Sequence, residues 1–231
     1  MKIVFRCPPE LEGLIPAPIP SRRGLPDWLR TMPTRAHSPD LGVDLETVKQ
    51  CPPFIDAMGA GFLMPLAADM RVEGGRFSWD WEPPANLPAH VPRSPFAFHV
   101  AEQLAGTPFH HPDRFAVKFM NFWTVGLPAG WGLLCTHPAN RADLPFRTVT
   151  GLVHAATYDA FIHFPALWTD EDFSGVLPRG TPVAQCFPVP LETLELETGT
   201  LTGEAAERFH AAHTAPRDGL GAYRRHHRKR D

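Results

Sequence analysis

Asn121-Phe122-Trp123, Pro128-Ala129-Gly130-Trp131-Gly132, Thr136-His137-Pro138-Ala139-Asn140-Arg141, Gly151-Leu152-Val153-His154 and Gly180-Thr181-Pro182-Val183-Ala184-Gln185 follow one another between Phe115 and Pro188. Short apolar runs alternate here with Gly and Pro turns, the pattern of an all-β domain. The stretch predicts a strand-rich core over 115–190.

Working outward, residues 2–7 read as a first strand, and 1–48 as an arm that wraps the domain. Within the arm, Leu25-Pro26-Asp27-Trp28-Leu29 predicts a short helix with Pro26 near its first turn. A second short helix is expected at 53–59, ending near Gly61, because glycine takes the left-handed conformation after a helix at little cost. Phe62 to Leu66 reads as a strand. Asp69 to Trp81 reads as a hairpin turning at Gly74-Gly75, with Phe77, Trp79 and Trp81 on one face. Residues 83–114 form a long Pro- and His-containing connection. Gly203 to His213 has the composition of a helix, within a helical close over 191–222. Residues 223–231 are a basic tail, read as solvated. One domain spanning 1–231 is expected.

Proline is the compositional outlier, 27 of 231 residues, yet 43% of the chain is hydrophobic and 16 residues are Phe. A disordered chain lacks that apolar content, so the prolines mark turns, edge strands and extended segments. The formal net charge of -3 carries no basic field that would argue for nucleic acid. No apolar run reaches the length that spans a membrane, and the N-terminal run is too short for a signal peptide. The four cysteines, Cys7, Cys51, Cys135 and Cys186, show no zinc-ribbon spacing. They are expected to pack as small hydrophobes in a cytoplasmic, reduced protein.

Two resemblances attach to these motifs. Cys51 to Met58, Asn121-Phe122-Trp123, Pro128 to Gly132, His137 to Arg141 with Leu144-Pro145-Phe146, Gly151-Leu152-Val153 and Gly180-Thr181-Pro182 resemble a tailed-bacteriophage and bacterial protein family. That resemblance implies a phage-related chain but no activity. The chain has His154 where phage members tend to carry Asp, and Phe122 where they tend to have Pro. The second, narrower resemblance is to the β-clip fold of dUTPases and dCTP deaminases, over about 125–188. It rests on Pro128-x-Gly130, Gly151-Leu152-Val153-His154 and Gly180 to Gln185. Hydrolysis in those enzymes needs a carboxylate at the fourth position of the glycine step, and His154 is not an oriented anion. Tyr158 lies one position beyond the place of their sugar-stacking tyrosine. The implied fold is mainly β, with a compact β-clip-like or barrel-like core, an N-terminal arm and short C-terminal helices.

The chain contains 12 histidines. Neutral imidazole suits Fe, Zn, Cu and Ni. His137, His154 and His163 sit at predicted strand ends and form one metal site if strand pairing brings those ends together. Otherwise each is a separate half-buried histidine bonded to backbone. His111-Pro112-Asp113 with a distal His154 or His163 matches a two-histidine, one-carboxylate face, or else is a solvent loop. Arg141 suits a carboxylate or phosphate clamp, or else pairs internally with Asp143, Asp56 or Asp69. His154, His137 and Arg141 are therefore the candidate catalytic residues. The functional expectation is an enzyme that modifies a small molecule or peptide in a His-rich pocket, with a divalent transition metal such as Fe or Zn. A non-catalytic nucleotide- or small-molecule-binding β-clip module and a phage-derived structural or interaction protein are the alternatives. No phosphate loop or nucleophile elbow is present, and nothing in the sequence sets the oligomeric state.

Overall fold

The computed structural model describes residues 1–111 and 116–214. It divides into two compact units, Met1–Pro26 with Ala57–Leu191, and Asp27–Asp56 with Glu192–Asp231.

The larger unit is mainly β, as the alternation of apolar runs and turns predicts. A five-stranded antiparallel sheet runs in the order Gly151–Val153, Trp131–Thr136, Pro182–Pro190, Phe62–Pro65, Ile19–Pro20. Pro182–Pro190 is its central strand. The prolines at its two ends leave the middle free to pair on both sides, and Val183 to Cys186 are buried. A four-stranded sheet follows the order Phe146–Thr148, Phe164–Trp168, Ala116–Phe119, Phe96–His99. A three-stranded sheet consists of Gly175–Leu177, Met70–Glu73 and Arg76–Trp79. Val4–Arg6 pairs with Thr124–Gly126.

The expected hairpin forms as read. Gly74 and Gly75 take positive φ, 54° and 73°, as a two-residue hairpin turn requires. Met70 and Val72 alternate inward from Arg71 and Glu73. The expected helix is Pro52–Gly59, followed by Gly61 at φ 67°. Two expectations need revising. The connection 83–114 holds a strand, Phe96–His99, that edges the four-stranded sheet. The arm is also not a bare wrap. Val4–Arg6 is the first strand expected within 2–7, and beyond it Ile19–Pro20 joins a sheet of the larger unit, while Trp123 donates its indole N–H to the Pro16 carbonyl at 3.0 Å.

The main core gathers Met64, Leu66, Met70, Val117, Phe119, Leu133, Phe146, Phe164 and Val183. Phe119 and Phe146 meet with ring centroids 4.7 Å apart, a productive aromatic separation. A second cluster packs Leu11, Ile15, Leu87, Val91 and Phe122.

The smaller unit contains the helix Asp27–Thr31, just after Pro26 as expected, and the helix Gly203–Thr214. It also contains a hairpin that the sequence reading does not anticipate, Arg35–Ser38 paired with Val43–Glu46. Lys49 Nζ donates to the carbonyls of Arg30 and Met32 at 2.8 and 2.9 Å. No helix among the described residues is long and apolar enough to cross a membrane. The basic tail 223–231 and Asp113 lie outside the described residues.

Candidate functional site

The histidines separate. His137 follows the strand Trp131–Thr136. Its Nδ1 accepts the Thr148 backbone N–H at 3.2 Å. A backbone N–H only donates, so Nδ1 is unprotonated and the proton is on Nε2, 3.0 Å from the Arg141 carbonyl that receives it. Burial lowers the pKa of this ring, and Arg147 and Arg141 push the same way. His163 repeats the Nδ1 contact. Its Nδ1 accepts the Asn121 N–H at 3.1 Å, and burial, with Lys118 nearby, brings its pKa down to about 4. His154 is exposed, in a turn where its own carbonyl accepts the Thr157 N–H. Among the described residues, no three or more His, Cys, Asp or Glu side chains are grouped so as to hold a metal. The expected Fe or Zn centre of His137, His154 and His163 is therefore not assembled. The residues do not fit such an ion, since Nδ1 of both His137 and His163 is already committed to a backbone donor.

Arg141 meets Asp143 through a two-pronged contact, Nε to Oδ1 at 2.8 Å and Nη2 to Oδ2 at 2.9 Å. The planar fork of the guanidinium thus faces an internal carboxylate.

The three glycine-containing motifs do come together. The strand after Pro128-Ala129-Gly130 is flanked by Gly151–Val153 on one side and Pro182–Pro190 on the other. Gln185, at the end of Gly180 to Gln185, is only 1% exposed. Its Oε1 accepts the Ala139 N–H at 2.8 Å. Its Nε2 donates to the Ala57 and Ala60 carbonyls at 2.9 and 2.7 Å. Ala57 lies in the last turn of its helix, where carbonyls lack intrahelical partners. Gln185 therefore caps a helix end and holds the turn 137–141 with one amide. Thr148 ties this region to the four-stranded sheet, donating its hydroxyl to the Val183 carbonyl. These polar groups, prominent in the sequence, are bonded to the backbone of neighbouring segments.

An open cavity of about 840 Å³ lies elsewhere in the larger unit. Phe77, Phe98, Val100, Val117 and Trp168 wall it, and Arg76, His111 and Glu171 bring its polar groups. Phe77 is its hub. Its ring stands edge-on to Phe98 at 5.3 Å and to Trp168 at 5.0 Å. The cavity exists because two short sheets present aromatic faces to each other. Phe77 projects from the hairpin strand, Phe98 from the edge strand of the four-stranded sheet, and Trp168 from the strand Phe164–Trp168. Phe98 and Val100 remain 42% and 47% exposed. Apolar surface left open in a concavity with a few polar groups is the usual make-up of a ligand pocket. Phe77 lies on the aromatic hairpin face expected from the sequence, away from His137, His154 and His163, the histidines expected to form a pocket. Of the other candidates, His111 lines the cavity. Phe98 and Trp168 were missed, and the Phe-Ala-Phe alternation of 96–98 was the available signal.

No protein-family model and no curated protein matches this chain. Solved structures similar to it include phage dUTPases. One is the dUTPase of Staphylococcus bacteriophage 80alpha, at 17% identity over 38% of this chain and 74% of that one, with a TM-score of 0.30. Another is a mutant dUTPase of phage phi11 of S. aureus, at 14% identity over 61% of this chain and 82% of that one, with a TM-score of 0.35. At these values the likeness is weak and partial, and assigns no activity to this chain.

Proposed function

We propose that this protein is a binding module for a small molecule or peptide side chain with a flat apolar body, which it takes up in the cavity walled by Phe77, Phe98 and Trp168. The observation that carries this reading is an aromatic cavity of about 840 Å³ whose walls keep large apolar side chains open to water. The rings of Phe77, Phe98 and Trp168 supply flat faces and edges for stacking, and Arg76 and Glu171 supply charge for orientation. The reading invokes no metal, in keeping with the lack of any group of three or more His, Cys, Asp or Glu side chains placed to hold one among the described residues. Nucleotides remain among its ligands through a second reading. The three motifs of the β-clip resemblance lie on neighbouring strands, and Leu152 on one of them is 51% exposed, apolar surface open to a base.

Calorimetric titration against nucleotides, aromatic acids and amines, and short aromatic peptides tests both readings, with Phe98→Ala and Leu152→Glu variants alongside. The expected result is a ligand whose affinity falls about tenfold or more in Phe98→Ala and is unchanged in Leu152→Glu. The opposite pattern moves the site to the strand edge. No heat with any member of the panel overturns the module.

A further inference from the structure

Trp131–Thr136 and Pro182–Pro190 run antiparallel inside the five-stranded sheet, and their register sets Cys135 directly opposite Cys186. Their Sγ atoms are 3.6 Å apart, and both residues are buried in the main core. Directly opposed residues in antiparallel strands hold their Cα atoms about 4.5–5.5 Å apart, inside the span of about 4.4–6.8 Å that a disulfide bridges. Bringing the sulfurs from 3.6 Å to a bonded separation of about 2.05 Å is a movement of about 1.5 Å, within reach of side-chain rotation. The other two cysteines differ, Cys51 being exposed and Cys7 half-buried.

We propose that Cys135 and Cys186 form a dithiol that closes into an intrachain disulfide when a peroxide reaches it. The thiolate of one cysteine attacks a peroxide oxygen, the O–O bond breaks, and a sulfenic acid and water result. The sulfur of the second cysteine then displaces hydroxide from the sulfenic sulfur, which leaves as water after taking up the second thiol proton. Two thiols lose two electrons and two protons, and one hydrogen peroxide is reduced to two waters. Burial, with Cys135 alongside, pushes the Cys186 thiol up, so the reaction is slow near neutral pH and quickens as pH rises. Cys135 and Cys186 are 4% and 0% exposed, so a peroxide reaches them only through local opening of the sheet, which a small oxidant exploits more readily than a bulky disulfide reagent. The bond closes a loop across 51 residues, including Trp168 in the cavity wall. It removes loop freedom from the unfolded chain and leaves the folded sheet as it is.

The test uses the full chain with Cys7→Ser and Cys51→Ser, treated with millimolar hydrogen peroxide in native buffer, then denatured and alkylated. The expected result is a mass loss of about 2 Da, a linked peptide containing Cys135 and Cys186, reversal by dithiothreitol, and a Tm raised by about 5 °C or more. Adding Cys135→Ser abolishes the linked peptide and leaves Cys186 sulfenic or sulfinic acid. Two fully alkylated thiols after peroxide treatment overturn the proposal, as do sulfinic acids at both positions in place of a link. The linked peptide alone decides the matter if Cys135→Ser fails to fold.

Discussion

Two regions of the larger unit handle their chemistry in opposite ways. Around Gln185, a buried amide and the half-buried groups beside it are each answered. The amide oxygen takes one N–H, the amide nitrogen serves the Ala57 and Ala60 carbonyls, and the neighbouring His137 places both ring nitrogens on backbone. Around Phe77, large apolar groups are left only partly covered. A buried polar network that is fully satisfied has nothing left to offer a ligand. An incompletely covered aromatic wall gains from being covered. The contrast teaches that the motif-like polar groups around Gln185 are bonded internally, and that the proposed binding surface is mostly hydrocarbon.

The largest effect that would sharpen this contrast is at Gly61, which has φ 67° and whose added Cβ would run into the Cys186 carbonyl. Gly61→Ala is expected to destabilise by about 2–4 kcal/mol through strain and clash together, read as a fall in Tm with unchanged cavity binding. Next comes Gln185. Gln185→Leu removes the partner of the Ala139 N–H and of the Ala57 and Ala60 carbonyls, and is expected to cost about 2–3 kcal/mol, because water reaches the two carbonyls and the lost amide bonds, more than orphaned groups, carry the effect. Urea unfolding measures it, and a loss below about 1 kcal/mol would mean that the amide is not the bracket described.

His163 supplies a prediction with a sign. Its folded pKa of about 4 is below the ordinary 6.5, so the unfolded chain binds the extra proton. The stability from keeping this ring neutral is present above pH 6.5 and is lost as pH falls from 6.5 to about 4. Allowing for solvent around a half-buried ring, the loss is about 1–2 kcal/mol. His163→Asn keeps an acceptor for the Asn121 N–H and flattens this part of the stability–pH curve. An unchanged curve in that variant assigns the acid sensitivity elsewhere. The smallest stability effect is at the cavity itself. Phe98→Ala removes a ring that is 42% exposed and is expected to cost less than about 1 kcal/mol of folding while abolishing most of the ligand affinity. A large loss of stability there would return Phe98 to the core and erase the contrast.

Legibility in the sequence followed local signals. The Gly74-Gly75 hairpin, the helix Pro52–Gly59 with Gly61 behind it, and the helix Gly203–Thr214 are all written in neighbouring residues, and their physics is local. The strand Phe96–His99 is four residues directly after Pro95 and owes its conformation to its partner Ala116–Phe119. The hairpin 35–46 has no apolar face to announce it, since nearly all of its residues are exposed. The same division runs through the site. That His137 and His163 are bound to backbone depends on residues 11 and 42 positions away, a distance no spacing rule covers. Gln185 did carry a signal, an amide set in a continuous apolar run, which asks where its donors and acceptors go. The cavity is the least legible part, because it is made where two sheets meet and belongs to no single stretch of chain.

The turn at Gly74-Gly75 has a consequence for change over time. Gly75 and the adjoining Arg76 border the cavity, yet a side chain added at either glycine would meet nothing within 4 Å. Loop tips of this kind accept insertions that cores refuse. Lengthening the tip would drape new residues over the mouth of the cavity and leave Met70 and Val72 seated beneath it. The protein thus carries an adjustable awning over a fixed room, and chains that share this scaffold can diverge in what they hold while keeping the same walls.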